Sequence, residues 1–306
     1  LTAPFVMEEI KMALDGMHPA KSPGPDGMNA CFFQKYWGIV QHGVVDAALK
    51  VLNEGADIGV LNETFIALIP KVEKPEVMTQ LRPISLCNIV YKLVAKALAN
   101  RLRDCLGEII CINQSAFVIG RSIYDNSMVA HEIVHTMQHH KGKGVGEVAL
   151  KLDMSKAYDR VEWIYLEKVM EALGFATAFR KKVMACVTSV QYAVLLNGAP
   201  TSKFTPGRGL RQGDPLSPYL FILCVEGFAA LLEKAKREGK LAGVAASEGA
   251  PRVSHLFFAD DSLLFMQATK DDCLVVRDIL KCYEMASGQS INLDKSAISY
   301  SMFVKV

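Results

Sequence analysis

The stretch Phe258-Ala259-Asp260-Asp261 constrains this chain more than any other. It lies between Leu256-Phe257 and Leu263-Leu264-Phe265-Met266, two apolar runs of strand character. Ionised carboxylates set between buried strands are costly unless a cation meets them. The break in the apolar pattern at Ala259-Asp260-Asp261 predicts a hairpin whose tip holds both acids out of the core. Two readings of that tip stand side by side. Asp-Asp occurs in ordinary turns, and a metal ion is the alternative partner for two adjacent carboxylates.

The chain has 306 residues, 51% hydrophobic and 22% charged, which suits a globular protein of one large or two ordinary domains. A net charge of +2 excludes a strongly basic protein, so any nucleic-acid surface must be local. From Ile69 to Arg103 seven Lys or Arg stand against two Glu; from Phe257 to Asp294 seven acids stand against three bases. Solvated helix faces account for many of these residues. Lys71 and Arg82 differ, because each sits beside a proline on one of two short strands that can pair. Such a hairpin sets two cations side by side, an arrangement suited to phosphates. The eight cysteines form no Cys-x-x-Cys pair and no zinc spacing, and read as reduced, mostly buried thiols of an intracellular protein. No secretory leader opens the sequence, and residues 183–196 are too short and polar for a membrane span. The chain reads as a piece of something longer.

Helical spacing covers residues 5–17, followed by a loop with three prolines and two glycines at 18–27, and helical spacing again at 28–53. Strands are expected at 64–69 and 81–86, then a helix to about Leu106. A loop at 114–126 precedes a helix at about 127–138. That helix contains His131-Glu132-Ile133-Val134-His135, the two-histidine pattern of zinc peptidases. A third ligand is required, and the extended pattern wants Gly at 138 and His at 141, where the chain has Gln138 and Lys141. An amphipathic helix with exposed His and Glu is the favoured reading. Residues 141–146 read as a flexible cationic linker. Residues 148–152 alternate as a strand that ends at Asp153, either a turn residue or a third carboxylate aimed at the 260–261 tip. A helix carrying Tyr158 follows. Residues 203–226 hold a glycine loop (Gly207, Gly209, Gly213) that presents Arg208, Arg211 and Gln212, with Asp214-Pro215 as a helix start. Its spacing fits neither a dinucleotide loop nor a P-loop. A helix at 271–285 and a strand at 290–293 complete the reading.

These segments in this order resemble the reverse transcriptases of non-long-terminal-repeat (LINE-type) retrotransposons, most closely the plant type. The matching stretches are Lys21-Ser22-Pro23-Gly24-Pro25-Asp26-Gly27, residues 81–88, Gln114-Ser115-Ala116-Phe117 with Gly120-Arg121-Ser122, residues 150–163, residues 207–221, and Phe258-Ala259-Asp260-Asp261. The resemblance implies an α+β right-hand polymerase with fingers and palm, an antiparallel palm sheet backed by helices, and no thumb. The implied division is residues 1–60 as an N-terminal extension of the fingers, 61–147 as fingers, and 148–306 as palm with the 203–237 loop and helix.

By the same resemblance Asp153, Asp260 and Asp261 are catalytic and hold two Mg²⁺ ions, with Mn²⁺ as a substitute. Lys295 matches a general acid for the leaving pyrophosphate. Lys71 and Arg82 would grip the triphosphate of a dNTP, Tyr158 would exclude a ribose 2′-hydroxyl, and Gln212 and Gly213 would lie along the nascent base pair. The implied partners are an RNA template, a DNA primer, dNTPs and the thumb and endonuclease regions of a longer polyprotein, with no membrane. The implied place is the nucleus, after assembly with RNA in the cytoplasm. The rival is a catalytically silent RNA- or DNA-binding remnant of such a polymerase.

Overall fold

The computed structural model describes residues 1–139, 145–247 and 249–301. In chain order, helices α1 (Met7–Asp15), α2 (Ala30–Lys35) and α3 (Trp37–Leu49) lead to strands β1 (Glu63–Pro70) and β2 (Leu81–Cys87). Helices α4 (Ile89–Ile109) and α5 (Ile123–His139) precede β3 (Glu147–Leu152). Next come α6 (Ala157–Arg160), α7 (Trp163–Ala172), α8 (Thr177–Thr188), β4 (Gln191–Leu196) and β5 (Ala199–Pro200). The chain continues through α9 (Ser217–Arg237), β6 (Val244–Ala245), β7 (Arg252–Val253), β8 (His255–Phe258), β9 (Asp261–Gln267), α10 (Lys270–Ser287) and β10 (Ala297–Tyr300). The fold is mixed α+β, as the sequence suggests.

Two compact units form: Leu1–Asp104 with Met170–Tyr219, and Cys105–Val169 with Leu220–Val306. Their borders differ from the expected ones at 60 and 147.

In the first unit, β2-β1-β4-β5 form one sheet. The β1–β2 hairpin is antiparallel from Thr64↔Cys87 to Pro70↔Leu81, while β1 and β4 run parallel. Helix α4 buries Ile89, Tyr91, Leu93, Val94, Ala95, Ala97 and Leu98, too many for one stripe, as befits a helix covered on several sides. The proline-rich loop packs against the end of β2. Asp26 donates its N–H to Asn88 Oδ1 at 3.1 Å, and Lys92 Nζ donates to Ser22 O at 3.3 Å. Gly24 is the point of closest approach: a Cβ there would collide with the backbone of Cys87 and Asn88 and stand 2.6 Å from Asn88 Oδ1. Gly24→Ala is therefore expected to lower the urea midpoint, by a destabilisation of about 1–3 kcal/mol as for other overpacked contacts. An unchanged midpoint would show that the loop can lift away freely.

In the second unit, β10-β3-β9-β8 form a fully antiparallel sheet. Alternation puts Leu256, Leu263, Phe265 and Ala149 into a cluster with Ile133 and Met137 of α5. Phe257 takes the other face, stacked at 5.3 Å on Phe228 of α9, which stacks at 4.8 Å on Tyr283 of α10. Helices on both faces explain why Leu264, Phe265 and Met266 are buried in succession.

Some expectations need correction. The helix expected from residue 127 begins at Ile123. The helix after Asp153 is broken, α6 ending at Arg160 before α7 starts at Trp163. Residues 290–293 are not a strand. Ile291 makes a single bridge to Met154, and the strand forms instead at Ala297–Tyr300. The cysteines are free, but only Cys87, Cys186 and Cys224 of the eight are buried. The expected 141–146 linker falls outside the described residues from 141 to 144. No helix among the described residues is long and apolar enough to cross a membrane.

Candidate active site

Strand β3 ends on the pair Leu152↔Ser262. Asp153 is the first residue past the end of β3, and Asp261 is the first residue of β9. Strands β8 and β9 close through Phe258↔Asp261, which leaves Ala259 and Asp260 as a two-residue turn. The sheet thus brings three carboxylate-bearing residues, distant in sequence, to one end of adjacent strands. Asp153 is half-buried; Asp260 and Asp261 are exposed. Ala259 has φ +53°, a left-handed conformation that costs a non-glycine residue on the order of 1 kcal/mol.

The backbone of Asp153 is fixed from the far edge. Its N–H donates to Ser296 Oγ at 3.2 Å, and its carbonyl accepts from Asn292 N at 2.8 Å. Those partners lie in the turn that carries Lys295, whose side chain is exposed and whose N–H donates to Asn292 O at 3.2 Å. Tyr158 stacks on Phe221 with ring centres 4.7 Å apart. Burial, and after it the charge of Asp260, holds the Tyr158 hydroxyl well above its ordinary range, so it stays protonated and within electrostatic reach of Asp260.

Among the described residues, no three His, Cys, Asp or Glu side chains gather into a ready metal site. A complete protein cage is not required of this donor set. Magnesium is ordinarily held by one or two carboxylates, with waters and substrate phosphates supplying the rest. Asp153, Asp260 and Asp261 offer only hard oxygen ligands at one sheet end, and fit that ion. The described residues give the zinc-peptidase reading no third ligand. His131, Glu132 and His135 lie exposed along α5, with His135 stacked on His139 at 4.1 Å, and no third ligand is grouped with them among the described residues.

The first unit holds the remaining candidates. Ile69 pairs with Arg82, and Lys71 N donates to Gln80 O at 2.8 Å, extending the ladder. Alternation along the strand puts Lys71 and Arg82 on one face of the hairpin. Both are exposed, and Lys71 Nζ donates to Thr79 O at 3.1 Å. The glycine loop lies on the strand that carries Arg82. Ser85 N donates to Gln212 O at 2.8 Å, and Gly213, at φ +105°, passes so close that a Cβ would stand 3.2 Å from Ser85 O.

Arg211 is not presented from this loop as expected. It is buried, paired with Asp214 Oδ2 at 2.8 Å, and donates to Asn62 Oδ1, Tyr91 Oη and Cys186 O. Asp214 accepts from Tyr91 Oη at 2.6 Å and from Leu216 N at 2.8 Å, so the helix it was expected to start begins later, at Ser217. The sequence gives no sign of His255, the first residue of β8 in the acidic hairpin, which is fully buried against Phe257. Burial pushes its imidazole down to about 4, and it stays neutral near pH 7.

Residues 69–303 match the model of the reverse transcriptase (RNA-dependent DNA polymerase) family. The chain belongs to the reverse transcriptase family. A 149 kDa protein of transposon TX1 from Xenopus laevis, itself uncharacterized, is 33% identical over 97% of this chain and 22% of its own length. The Pol polyprotein of the type-2 retrotransposable element R2DM from Drosophila melanogaster is 25% identical over 90% of this chain and 24% of its own length. An R2 Pol polyprotein from Popillia japonica is 24% identical over 85% of the chain and 34% of its own length. This reverse transcriptase domain therefore spans about a fifth to a third of these relatives, which are longer proteins of transposable elements. Reverse transcriptases generally use divalent metal ions.

Proposed function

We propose that this domain is the fingers and palm of an RNA-directed DNA polymerase that joins a dNTP to a primer 3′-hydroxyl on an RNA template. The observation that supports the reading is the topology: β3 ends at Leu152↔Ser262, at the end of the sheet where the Ala259-Asp260 turn joins β8 to β9, and Asp153 is the next residue. Asp153 and Asp260 would be the principal ligands of two Mg²⁺ ions, with Asp261 contributing less. When bound, such ions acidify the hydroxyl and offset charge on the α-phosphate and leaving pyrophosphate.

The chain's own residues do the rest. Lys71 and Arg82, two cations on a rigid hairpin, would take the triphosphate. Gln212 and Gly213, held flat against β2, would lie along the new base pair. Lys295 would hold the proton for the leaving pyrophosphate. Tyr158, held by its stack on Phe221, would stand against the 2′ position of the incoming sugar. The RNA would be gripped mainly by backbone and shape, with affinity falling steeply in salt. Thumb and endonuclease regions would lie elsewhere in a longer polyprotein that works in the nucleus after assembling with RNA in the cytoplasm.

Primer extension on an RNA template with Mg²⁺ is the test. Extension by the parent protein is expected. In Tyr158→Ala, ribonucleotide incorporation relative to deoxynucleotide should rise at least about tenfold, the size of losing one steric contact that discriminates two substrates. Unchanged sugar selection would remove Tyr158 from that role. Template–primer binding with no incorporation by the parent would mark a silent remnant.

A further inference from the structure

Strand β8 lies at the edge of its sheet, and an open edge leaves a row of unpaired backbone groups. Here the segment Asn113–Ala116 covers it. Phe257 N donates to Asn113 O at 2.8 Å, and Ser115 N donates to Phe257 O at 3.1 Å, with Gln114 bridged in parallel to Phe257. Asn126 Nδ2, from the first turn of α5, adds bonds to Phe257 O at 2.9 Å and Asn113 O at 3.1 Å. Gln114 reaches past the end of the strand. Its Oε1 accepts from Ala116 N at 2.9 Å and from Ala259 N at 3.1 Å.

Ala259 is the left-handed residue of the acidic turn, 7% exposed, and Gln114 is 1% exposed. The two N–H donors dictate which way the amide points, and its Nε2 is left buried without a hydrogen-bond partner. A carboxylate would satisfy the same donors without that orphan, but would bring a buried charge beside Asp260. A neutral side chain that accepts two hydrogen bonds is what the place calls for.

The loop is itself anchored by Arg121. Its guanidinium donates to the carbonyls of Cys111 at 2.5 Å, Gln114 at 2.8 Å, Ile110 at 2.9 Å and Gly107 at 3.2 Å. These include carbonyls at the C-terminal end of α4, where backbone acceptors run out of partners and a cation is favoured. Arg121 therefore spends its donors on the backbone that carries Gln114.

We propose that Gln114, on the loop fixed by Arg121, is the positioning residue that holds the strained Ala259 turn and with it the carboxylates of Asp260 and Asp261. The role assigned to those carboxylates rests on the proposed polymerase reaction; the hold on the turn does not. Gln114 touches no reacting atom. Its loss should let the turn relax out of the left-handed conformation and spread the two carboxylates over more positions.

The test combines amide exchange with steady-state kinetics on the full chain. In Gln114→Met the Ala259 amide should exchange about tenfold to a hundredfold faster, the scale of one lost buried hydrogen bond. Its kcat for primer extension should fall about tenfold or more while KM for dNTP stays within about twofold, the pattern of a positioning defect. Gln114→Glu keeps the acceptor, so at a pH low enough to leave its buried carboxyl neutral Ala259 should be protected more than in Gln114→Met; equal exchange in the two would overturn the proposal. If Gln114→Met does not fold, Gln114→Asn, one methylene too short to reach, should show the same faster exchange. Unchanged Ala259 exchange in a folded variant overturns the proposal. So does a rise in KM with kcat intact, which would make Gln114 a nucleotide contact. If Asp260→Asn extends primers like the parent, the polymerase reading fails, and the exchange result still decides what holds the turn.

Discussion

Asp260→Asn and Asp153→Asn are each expected to lose primer extension by about a thousandfold or more, with circular dichroism and thermal midpoint close to those of the parent. The size follows from the chemistry. Carboxylate to amide keeps shape but removes the charge and one hard oxygen ligand, and a metal's charge stabilisation of a transition state is worth several kcal/mol. At about 1.4 kcal/mol per decade, that is on the order of 10³ in rate. The fold should hold because Asp260 is exposed at the turn and Asp153 is fixed through its backbone, by Ser296 and Asn292, rather than through its carboxylate. Asp261→Asn should lose less, leaving measurable extension. Single-turnover extension with saturating dNTP and Mg²⁺ separates the cases. If Asp153→Asn retains parental rate, the end of β3 is structural only, and the metal assignment falls with it.

How much of this was visible in the sequence depends on the distance over which each residue finds its partner. The acidic hairpin was legible because its signal is local: two apolar runs, a short break, two acids. The β1–β2 hairpin was legible for the same reason, prolines and polar residues marking both ends. Strand β10 was not. All four of its residues are exposed, so an edge strand with no buried face leaves no alternation to read. The apolar alternation at Ser290–Leu293 misleads, because its backbone pairs through one antiparallel bridge only, Met154↔Ile291, with Asn292 N on Asp153 O and Ser155 N on Ser290 O, too short a pairing to make a strand. Gln114 could be matched as part of a pattern but given no task, since the amide it holds belongs to Ala259, far along the chain. Arg211 was misread outright. Among glycines it looks like a cation offered to a ligand, and only Asp214 of its partners is near enough in sequence to hint otherwise. Tyr91, Asn62 and Cys186 are supplied by the tertiary fold.

That misreading leads to the largest expected effect on stability. Arg211 and Asp214 are 4% and 2% exposed, and their pair is completed by Tyr91, Asn62 and Cys186, with the Arg211 guanidinium 4.1 Å from the Tyr91 ring centre. A buried pair contributes little beyond its own desolvation cost, yet removing one partner strands the other charge in the interior. Arg211→Met should therefore cost about 3–5 kcal/mol, visible as a lower urea midpoint at unchanged slope. Arg211→Lys should recover little, since an ammonium cannot reproduce the fork that reaches Asn62, Cys186 and Asp214 together. The double variant Arg211→Met with Asp214→Leu should be more stable than Arg211→Met alone, because no orphan charge remains. The same network sits next to Gln212, whose carbonyl bonds Ser85 N, so the folded fraction of Arg211→Met should also bind dNTP more weakly. A midpoint for Arg211→Met within about 1 kcal/mol of the parent, the range of an exposed pair, would mean that the guanidinium reaches solvent and that the glycine loop is held in place by its backbone contacts alone.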